Sequence, residues 1–202
     1  MLPSVTLGRL PAALLMAAAA AVWPVAAHAQ RAQIPIVIET ELGTIEAVLD
    51  SAHAPITVTN FLRYVDARLF DDARFFRVVT LSNQPNDSVK IEVIQVAIAR
   101  ENNAKGFPPI PLERTSVTGL HHLDGTLSMA RSGPDTGTSS FSIVINSQPE
   151  MDFGGKRNPD GQGFAAFGRV TRGKDVALKI QAQPVDAQRL QTPVRILRIV
   201  RK

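Results

Sequence analysis

Two parts of the sequence combine residue types that suit contact with another polypeptide. Arg77 stands in the run R-F-F-R-V-V, so a planar, permanently charged hydrogen-bond donor is embedded in a strongly β-prone stretch. Residues 125–145 contain two short apolar runs, 127–130 and 141–145, on either side of a loop rich in small residues at 132–137. Small side chains let a second backbone approach closely. An arginine in such a strand can also be a surface residue paired with a carboxylate, and the run alone leaves both interpretations open.

Other chemistries have weaker support. His121-His122 are adjacent, so they point in different directions and lack metal-ligand spacing. Ser139-Ser140 with His122 and Asp124 would supply hydrolase residue types, but the sequence has no G-x-S-x-G motif around them. Residues 158–163 lack the regular carboxylates of a calcium loop and fit a plain turn better. The absence of cysteine excludes thiol chemistry and disulfides. We therefore predict neither a cofactor nor a metal ion.

The N-terminal segment has the pattern of a cleavable export signal. Arg9 precedes the alanine-rich apolar run 10–25, and Ala27-His28-Ala29 fits the small-residue rule for cleavage before Gln30. A transmembrane anchor is the alternative, but the run is about sixteen residues long, which is short of the roughly 20 needed to cross a bilayer. We predict a signal peptide over 1–29, cleavage after Ala29 and a periplasmic location.

The remaining 173 residues, 30–202, suit one domain with a single core. Without Arg9 the formal charge falls from +4 to +3, and no run of basic residues is interleaved with aromatics. The small net charge and the lack of such a run give no support for nucleic acid binding. In the tail 195–202, basic residues alternate with apolar residues, which fits a closing strand with solvated charges. No later segment is apolar enough for a membrane helix, so we expect no stable membrane insertion.

Hydrophobic periodicity predicts a mainly β domain with two helices. Pro55 suits the first turn of a helix over 55–68, and a second short helix covers 174–181. The predicted strands are 34–39, 43–49, 75–81, 89–99, 125–130, 141–146, 165–170 and 194–200. Many short strands with few helices are typical of a β-barrel or sandwich.

The ordered motifs together resemble the cyclophilins, the peptidyl-prolyl isomerases. Their signatures read roughly F-H-R-V/I and G-x-L/I-S/A-M-A-x-x-G-P-x-T-x-x-S-Q-F-F-I, and this chain reads FFRVV and GTLSMARSGPDTGTSSFSIVI. Asn60-Phe61, FGRV at 167–170 and GKDV at 173–176 also agree. The resemblance implies a closed eight-stranded antiparallel β-barrel capped by two α-helices, with a substrate groove on the outer surface and one isomerase domain over 30–202.

By this resemblance, Arg77 and Gln95 are the catalytic residues. Rotation about an X-Pro bond meets a barrier of roughly 18–20 kcal/mol, because the bond has partial double-bond character. The imide nitrogen gains a lone pair as the bond twists, so a donor aimed at it stabilises the twisted state more than the planar one. Arg77 matches the family's donor. Gln95 matches the glutamine that orients it and binds substrate backbone, although it could also be a solvent-facing strand residue.

The resemblance also assigns substrate-binding residues. Main-chain contacts are implied for Ala130, Arg131 and Ser132. Pocket positions align with Glu92, Val93, Ser142, Met151 and Phe164, of which Glu92 and Ser142 stand where the family has phenylalanine. About ten extra residues near 80–89 separate Arg77 from Gln95, and a shift of that loop could bring Ile91 to the position of Glu92. Phe164 is the candidate to fill the space left at Ser142, or it is a core residue at the start of a strand.

Two functions remain open from the sequence. The first is an exported prolyl isomerase acting on proline-containing, unfolded or partly folded proteins, which we expect to be a monomer. The second is a non-catalytic peptide-binding or chaperone module on the same barrel, because a fold does not guarantee its activity. Retention of Arg77 and Gln95 favours the enzyme.

Overall fold

The computed structural model describes residues 32–202, so the predicted signal peptide lies outside the described residues. Strands are β1 Gln33–Thr40, β2 Gly43–Asp50, β3 Arg74–Val79, β4 Val93–Ala97, β5 Thr126–Met129, β6 Phe141–Val144, β7 Ala165–Arg172, β8 Val185–Asp186 and β9 Arg189–Arg201. Helices are α1 Pro55–Asp66, α2 Thr115–Thr118 and α3 Lys174–Gln181, with short 3-10 helices at Leu81–Asn83, Arg100–Lys105 and Pro149–Met151. Every helix in this part of the chain is too short or too polar to cross a bilayer.

Eight strands close into an antiparallel barrel. Their order is β1-β2-β7-β5-β6-β4-β3-β9, and the pairing of β9 with β1 closes the sheet. The two-residue strand β8 pairs only with the start of β9 and stands outside the closed ring. Closure leaves no unpaired edge on the eight strands. The predicted closed eight-stranded barrel is confirmed.

Aromatic side chains fill the interior between the barrel and α1. The centre of the Phe61 ring on α1 lies 5.1–5.3 Å from the ring centres of Phe70, Phe141 and Phe167. All four side chains are fully buried. Helix α1 has Pro at its first position, as predicted, and ends two residues before the predicted limit. Helix α3 has the predicted bounds.

A β-bulge in β3 decides where Arg77 points. Side chains alternate along a regular strand, so Arg77 would share the core face of Phe75. The register of β3 shifts between Phe75 and Arg77 against both neighbouring strands. As a result Phe75 and Val78, three residues apart, both face the core. Phe76 and Arg77 are half-buried, and the reversed alternation places both on the outer surface.

Candidate active site

The register of four strands places a row of polar side chains across the outer face of the barrel. Arg77 of β3 pairs with Gln95 of β4, Gln95 pairs with Ser142 of β6, and Ser142 pairs with Ser128 of β5. The flanking residues of β4 face the core, so Gln95 points outwards. Phe141 lies in the core and its neighbour Ser142 on the outer face, as the alternation predicts. Residues separated by up to 65 positions in the chain therefore form one continuous row.

Arg77 is held by two glutamines. Its Nη1 donates to Gln95 Oε1 at 3.0 Å. Its Nε and Nη2 both donate to Gln188 Oε1, at 2.9 and 2.5 Å. Burial lowers the pKa of Arg77 from its usual value, and the positive charge of Arg157 lowers it further, whereas Asp87 opposes the shift. An arginine with so high an ordinary pKa stays charged at neutral pH, so the site presents a fixed cation.

A short hydrogen-bond chain fixes Gln95. Its Nε2 donates to Ser140 Oγ at 3.1 Å, and that hydroxyl donates to the carbonyl of Val96 at 2.6 Å. The Gln95 Oε1 is therefore left to face Arg77. Ser140 stands where the cyclophilin signature has the glutamine of S-Q-F-F-I, and here its hydroxyl orients the Gln95 amide.

Beside this row lies an apolar cluster on the outer face, formed by Val79, Ile91, Val93, Val144 and Met151 with Phe164 packed against it. Val79, Val93 and Val144 are register partners that lie two residues along the strands from Arg77, Gln95 and Ser142, and so on the same face. Val93 and Met151 are each only 3 % exposed. The cluster therefore lies next to the guanidinium, where an apolar ring is expected to bind.

The structure does not bring Glu92 to this cluster. Its carboxylate accepts from Asn146 Nδ2 at 2.8 Å and from Gln181 Nε2, at the end of α3, at 3.4 Å. Ile91 lies in the apolar cluster instead. Glu92 is therefore not the pocket residue that the alignment predicted, and Ile91 takes its place in the cluster, as a shifted loop would allow. A carboxylate keeps polar partners and water, whereas an apolar side chain gains by burial.

No gap opens at Ser142. Its exposed fraction is 7 %, between Gln95 and Ser128 in the strand register. Neighbouring groups therefore cover Ser142, although it stands where the family has the larger phenylalanine. Phe164 packs against the apolar cluster of Val79, Ile91, Val93, Val144 and Met151, which does not include Ser142.

The loop at 130–132 lies on the same side of the barrel, but its side chains are used structurally. The Arg131 side chain is 3 % exposed and forms a bidentate ion pair with Asp160, at 2.8 Å for each bond. Its guanidinium carbon lies 5.3 Å from the centre of the Phe164 ring. The Ala130 amide donates to the carbonyl of Ser140 and the Ser132 amide to Thr136 Oγ1. These two amides are thus already hydrogen-bonded within the protein, and the main-chain contacts of residues 130–132 with substrate stay a prediction.

Asp160 is a residue that sequence reasoning missed, since 158–163 were interpreted as a plain turn. The hydrogen bonds from Arg131, followed by that from the Gln162 amide, lower the pKa of Asp160 to about 2. The carboxylate is therefore charged at any pH near neutral. It ties the turn to residue 131 and holds Arg131 over Phe164.

The predicted family can be tested against known proteins. The family model described as cyclophilin type peptidyl-prolyl cis-trans isomerase/CLD matches residues 35–201. The chain belongs to this family. Peptidyl-prolyl cis-trans isomerase A of Dickeya dadantii is 33 % identical over 146 residues, covering 72 % of this chain and 70 % of the relative. A peptidyl-prolyl cis-trans isomerase of Acinetobacter baylyi is 32 % identical over 181 residues, covering 87 % and 88 %.

Solved structures agree on the fold of this cyclophilin. A cyclophilin type peptidyl-prolyl cis-trans isomerase of Cryptosporidium parvum has a TM-score of 0.67 at 20 % identity, covering 84 % of this chain and 98 % of the other. A crystal structure of the same protein in the presence of the dipeptide Ala-Pro has a TM-score of 0.66 at 20 % identity, covering 83 % and 98 %. The predicted family and barrel are both confirmed. The roles of individual site residues stay predictions.

The extra residues of this cyclophilin between Arg77 and Gln95 form an ordered loop. The buried Gln84 organises it, because Nε2 donates to the carbonyls of Thr80 and Ile91 at 2.7 and 2.8 Å. Arg157 donates to Gln84 Oε1 at 3.0 Å and pairs with Asp87 at 3.1 Å. The loop is thereby joined to the segment that precedes Phe164, and it brings Ile91 into the apolar cluster.

The two histidines have structural partners rather than the arrangement of a metal site. Buried His122 places Nδ1 2.5 Å from Asp152 Oδ1 and Nε2 2.9 Å from Ser128 Oγ. His121 Nδ1 lies 2.7 Å from the other Asp152 oxygen. Burial alone would raise the pKa of Asp152, but hydrogen bonds with His122 and His121 lower it. Among residues 32–202 no group of three histidine, cysteine or acidic residues could hold a metal ion.

Proposed function

We propose that this cyclophilin catalyses cis–trans isomerisation of X-Pro peptide bonds, with Arg77 as the catalytic donor. The observation that carries the proposal is a half-buried guanidinium, fixed on the outer face of the barrel beside an apolar cluster. Apolar surface next to a directional donor is what a twisting prolyl bond requires, because no covalent bond breaks.

The donor count supports this role. An arginine side chain has five N–H groups. Gln95 and Gln188 take three of them, and no other acceptor in residues 32–202 takes the remaining two, one on Nη1 and one on Nη2. As the bond rotates, the imide nitrogen becomes a better acceptor, so a bond from one of these groups strengthens toward the transition state. The additional hydrogen-bond stabilisation applies to the twisted state only, so it lowers the barrier and raises the rate.

The proline ring is expected to contact the apolar cluster. Val93 and Met151 are almost fully buried, whereas Phe164, which packs against the cluster, is half-buried, so the Phe164 ring is the surface that the proline ring is expected to contact. The hydrogen bond from Arg131 Nε to the Gly163 carbonyl and the ion pair of Arg131 with Asp160 hold the segment that carries Phe164 in place. Substrate binding should therefore depend on Phe164 more than on Ser142.

A protease-coupled assay on an Ala-Pro-containing peptide tests the function. The mature chain beginning at Gln30 should accelerate isomerisation in proportion to its concentration. A folded chain that binds Pro-containing peptides without accelerating isomerisation would identify a non-catalytic peptide-binding module instead.

Truncation of Phe164 is expected to weaken substrate binding. Burial of a phenylalanine side chain contributes about 1.5–3 kcal/mol, so Phe164→Ala should lower kcat/KM by roughly tenfold, mainly through KM. The measurement is initial rate against peptide concentration. Phe153→Ala is the matched control, because Phe153 is 45 % exposed and lies outside the apolar cluster. Faster turnover by Phe164→Ala would mean that Phe164 only covers the cluster.

We also propose that the protein acts in the periplasm on unfolded or partly folded clients, as a monomer. Arg9, the apolar run 10–25 and Ala27-His28-Ala29 support export, and a fold without cysteine does not depend on the redox state of the compartment. Sedimentation of the purified protein would test the monomer.

The export prediction has a direct measurement. Protein isolated from the native cell envelope should begin at Gln30, within a residue or two, and should fractionate with periplasmic markers. An intact N-terminus at Met1 on cytoplasmic protein would contradict it.

A further inference from the structure

A tight hairpin at the start of β9 lies against β3. Asp186 of β8 pairs with Arg189 of β9, which leaves Ala187 and Gln188 as the two turn residues. Ala187 has φ 53°, in the left-handed region that such turns require. The Val78 amide donates to the carbonyl of Gln188 at 2.8 Å. The turn is therefore fixed to the strand that carries Arg77.

The orientation of the Gln188 side chain is set by its own partners. Its Nε2 donates to the carbonyl of Asn83 at 3.3 Å. Asn83 is fixed in turn, since its Nδ2 donates to the carbonyl of Val78 and its Oδ1 accepts from the Thr80 amide. A flipped amide would direct NH2 at the guanidinium, which has only donors. Oε1 therefore faces Arg77.

Gln188 and Gln95 hold different parts of the same guanidinium. Gln188 Oε1 takes Nε and Nη2, which form one edge of the plane, and Gln95 Oε1 takes Nη1. Two acceptors on different nitrogens fix the rotation of the plane as well as its position. Both acceptors are neutral, so the charge of Arg77 is oriented without being cancelled by a carboxylate.

We propose that Gln188 is a positioning residue for the isomerase reaction, which aims the two remaining N–H groups of Arg77 at the substrate. This inference rests on the proposed function of Arg77. Without Gln188 the guanidinium keeps one anchor and can rotate about it. Misplacement of a reacting group costs up to about 100-fold in rate, and with Gln95 still present a loss of about fivefold in kcat is expected.

The test uses Gln188→Met in the chain that begins at Gln30, as in the isomerase assay. Methionine keeps the length of the side chain and removes both the acceptor for Arg77 and the donor to the Asn83 carbonyl. We expect kcat to fall about fivefold with KM and the melting temperature unchanged, because the orientation matters in the transition state. Gln191→Met is the matched control, since Gln191 is an exposed glutamine of β9, three residues beyond Gln188. It should retain the wild-type kcat.

A double-mutant cycle separates positioning from a general effect. In an Arg77→Ala background, Gln188→Met should cause no further loss, because the group that it positions is gone. In ¹H–¹⁵N spectra the Arg77 Nε–H signal should shift in Gln188→Met and stay in place in Gln191→Met. If Gln188 only stabilised the hairpin, Gln188→Met would cause the same fold loss in both backgrounds. The Nε–H shift shows whether the hydrogen bond from Arg77 to Gln188 forms in solution.

Three results would overturn the inference: wild-type kcat in Gln188→Met, an equal fold loss in the Arg77→Ala background, or an unshifted Nε–H signal. Any of these results, with the rate of Arg77→Ala lowered as expected, removes only the role of Gln188. Wild-type activity in Arg77→Ala would remove the proposed mechanism and the inference together.

Discussion

Arg77→Ala should lower the isomerase rate by at least tenfold with little change in melting temperature. The side chain lies on the outer face of the barrel, and its described hydrogen-bond partners are Gln95 and Gln188. Its loss removes the donor to the imide nitrogen and leaves the core intact. The measurement is kcat on an Ala-Pro-containing peptide, together with a thermal melt of the same preparation.

Two further variants make this result specific. Arg77→Lys should recover little activity, because an ammonium lacks the planar fork that both glutamines hold. Arg74→Ala removes an exposed arginine from the same strand and should behave as wild type. If Arg77→Ala keeps wild-type activity, or if Arg74→Ala loses as much, the mechanism proposed for this site is wrong.

Phe61→Ala should cause the largest loss of stability. The Phe61 ring is fully buried and lies within 5.3 Å, between ring centres, of Phe70, Phe141 and Phe167. Truncation of a buried phenylalanine costs about 3–5 kcal/mol, because apolar burial is lost and a cavity remains. Urea unfolding should show this decrease in the free energy of unfolding with a similar m value.

A control on the same helix separates core packing from helix propensity. Ile56 is 42 % exposed on α1, so Ile56→Ala should change stability by only about 0.5 kcal/mol. A loss below about 1 kcal/mol for Phe61→Ala would show that the barrel end repacks around the cavity.

Local patterns in the sequence were enough to predict most elements and the fold. Helices α1 and α3 and the hairpin of β1 and β2 were predicted, because periodicity, the proline at the start of α1 and the glycine in the hairpin turn act over a few residues. The short strand β8 was missed, since two residues carry no periodicity. The family motifs identified Arg77 and Gln95 and thereby the face of the barrel that the site occupies.

The tertiary structure decided what surrounds those two residues. Gln188 lies 111 positions from Arg77, and Asp160 lies 29 positions from Arg131, so no local pattern links either pair. Only the packing of the chain shows that Ile91 and not Glu92 lies in the apolar cluster, and that Ser142 is covered by its neighbours.

The direction of the Arg77 side chain is the clearest case of a feature that the sequence alone does not determine. The sequence determined that a charged donor stands in a β-strand, and strict alternation would have buried it on the same face as Phe75. A bulge against β4 and β9 shifts the alternation and places the guanidinium outside. That shift depends on pairing with strands that are distant in the chain. The bulge is stable when the free energy gained by burying both Phe75 and Val78 outweighs the loss of ladder hydrogen bonds at the bulge.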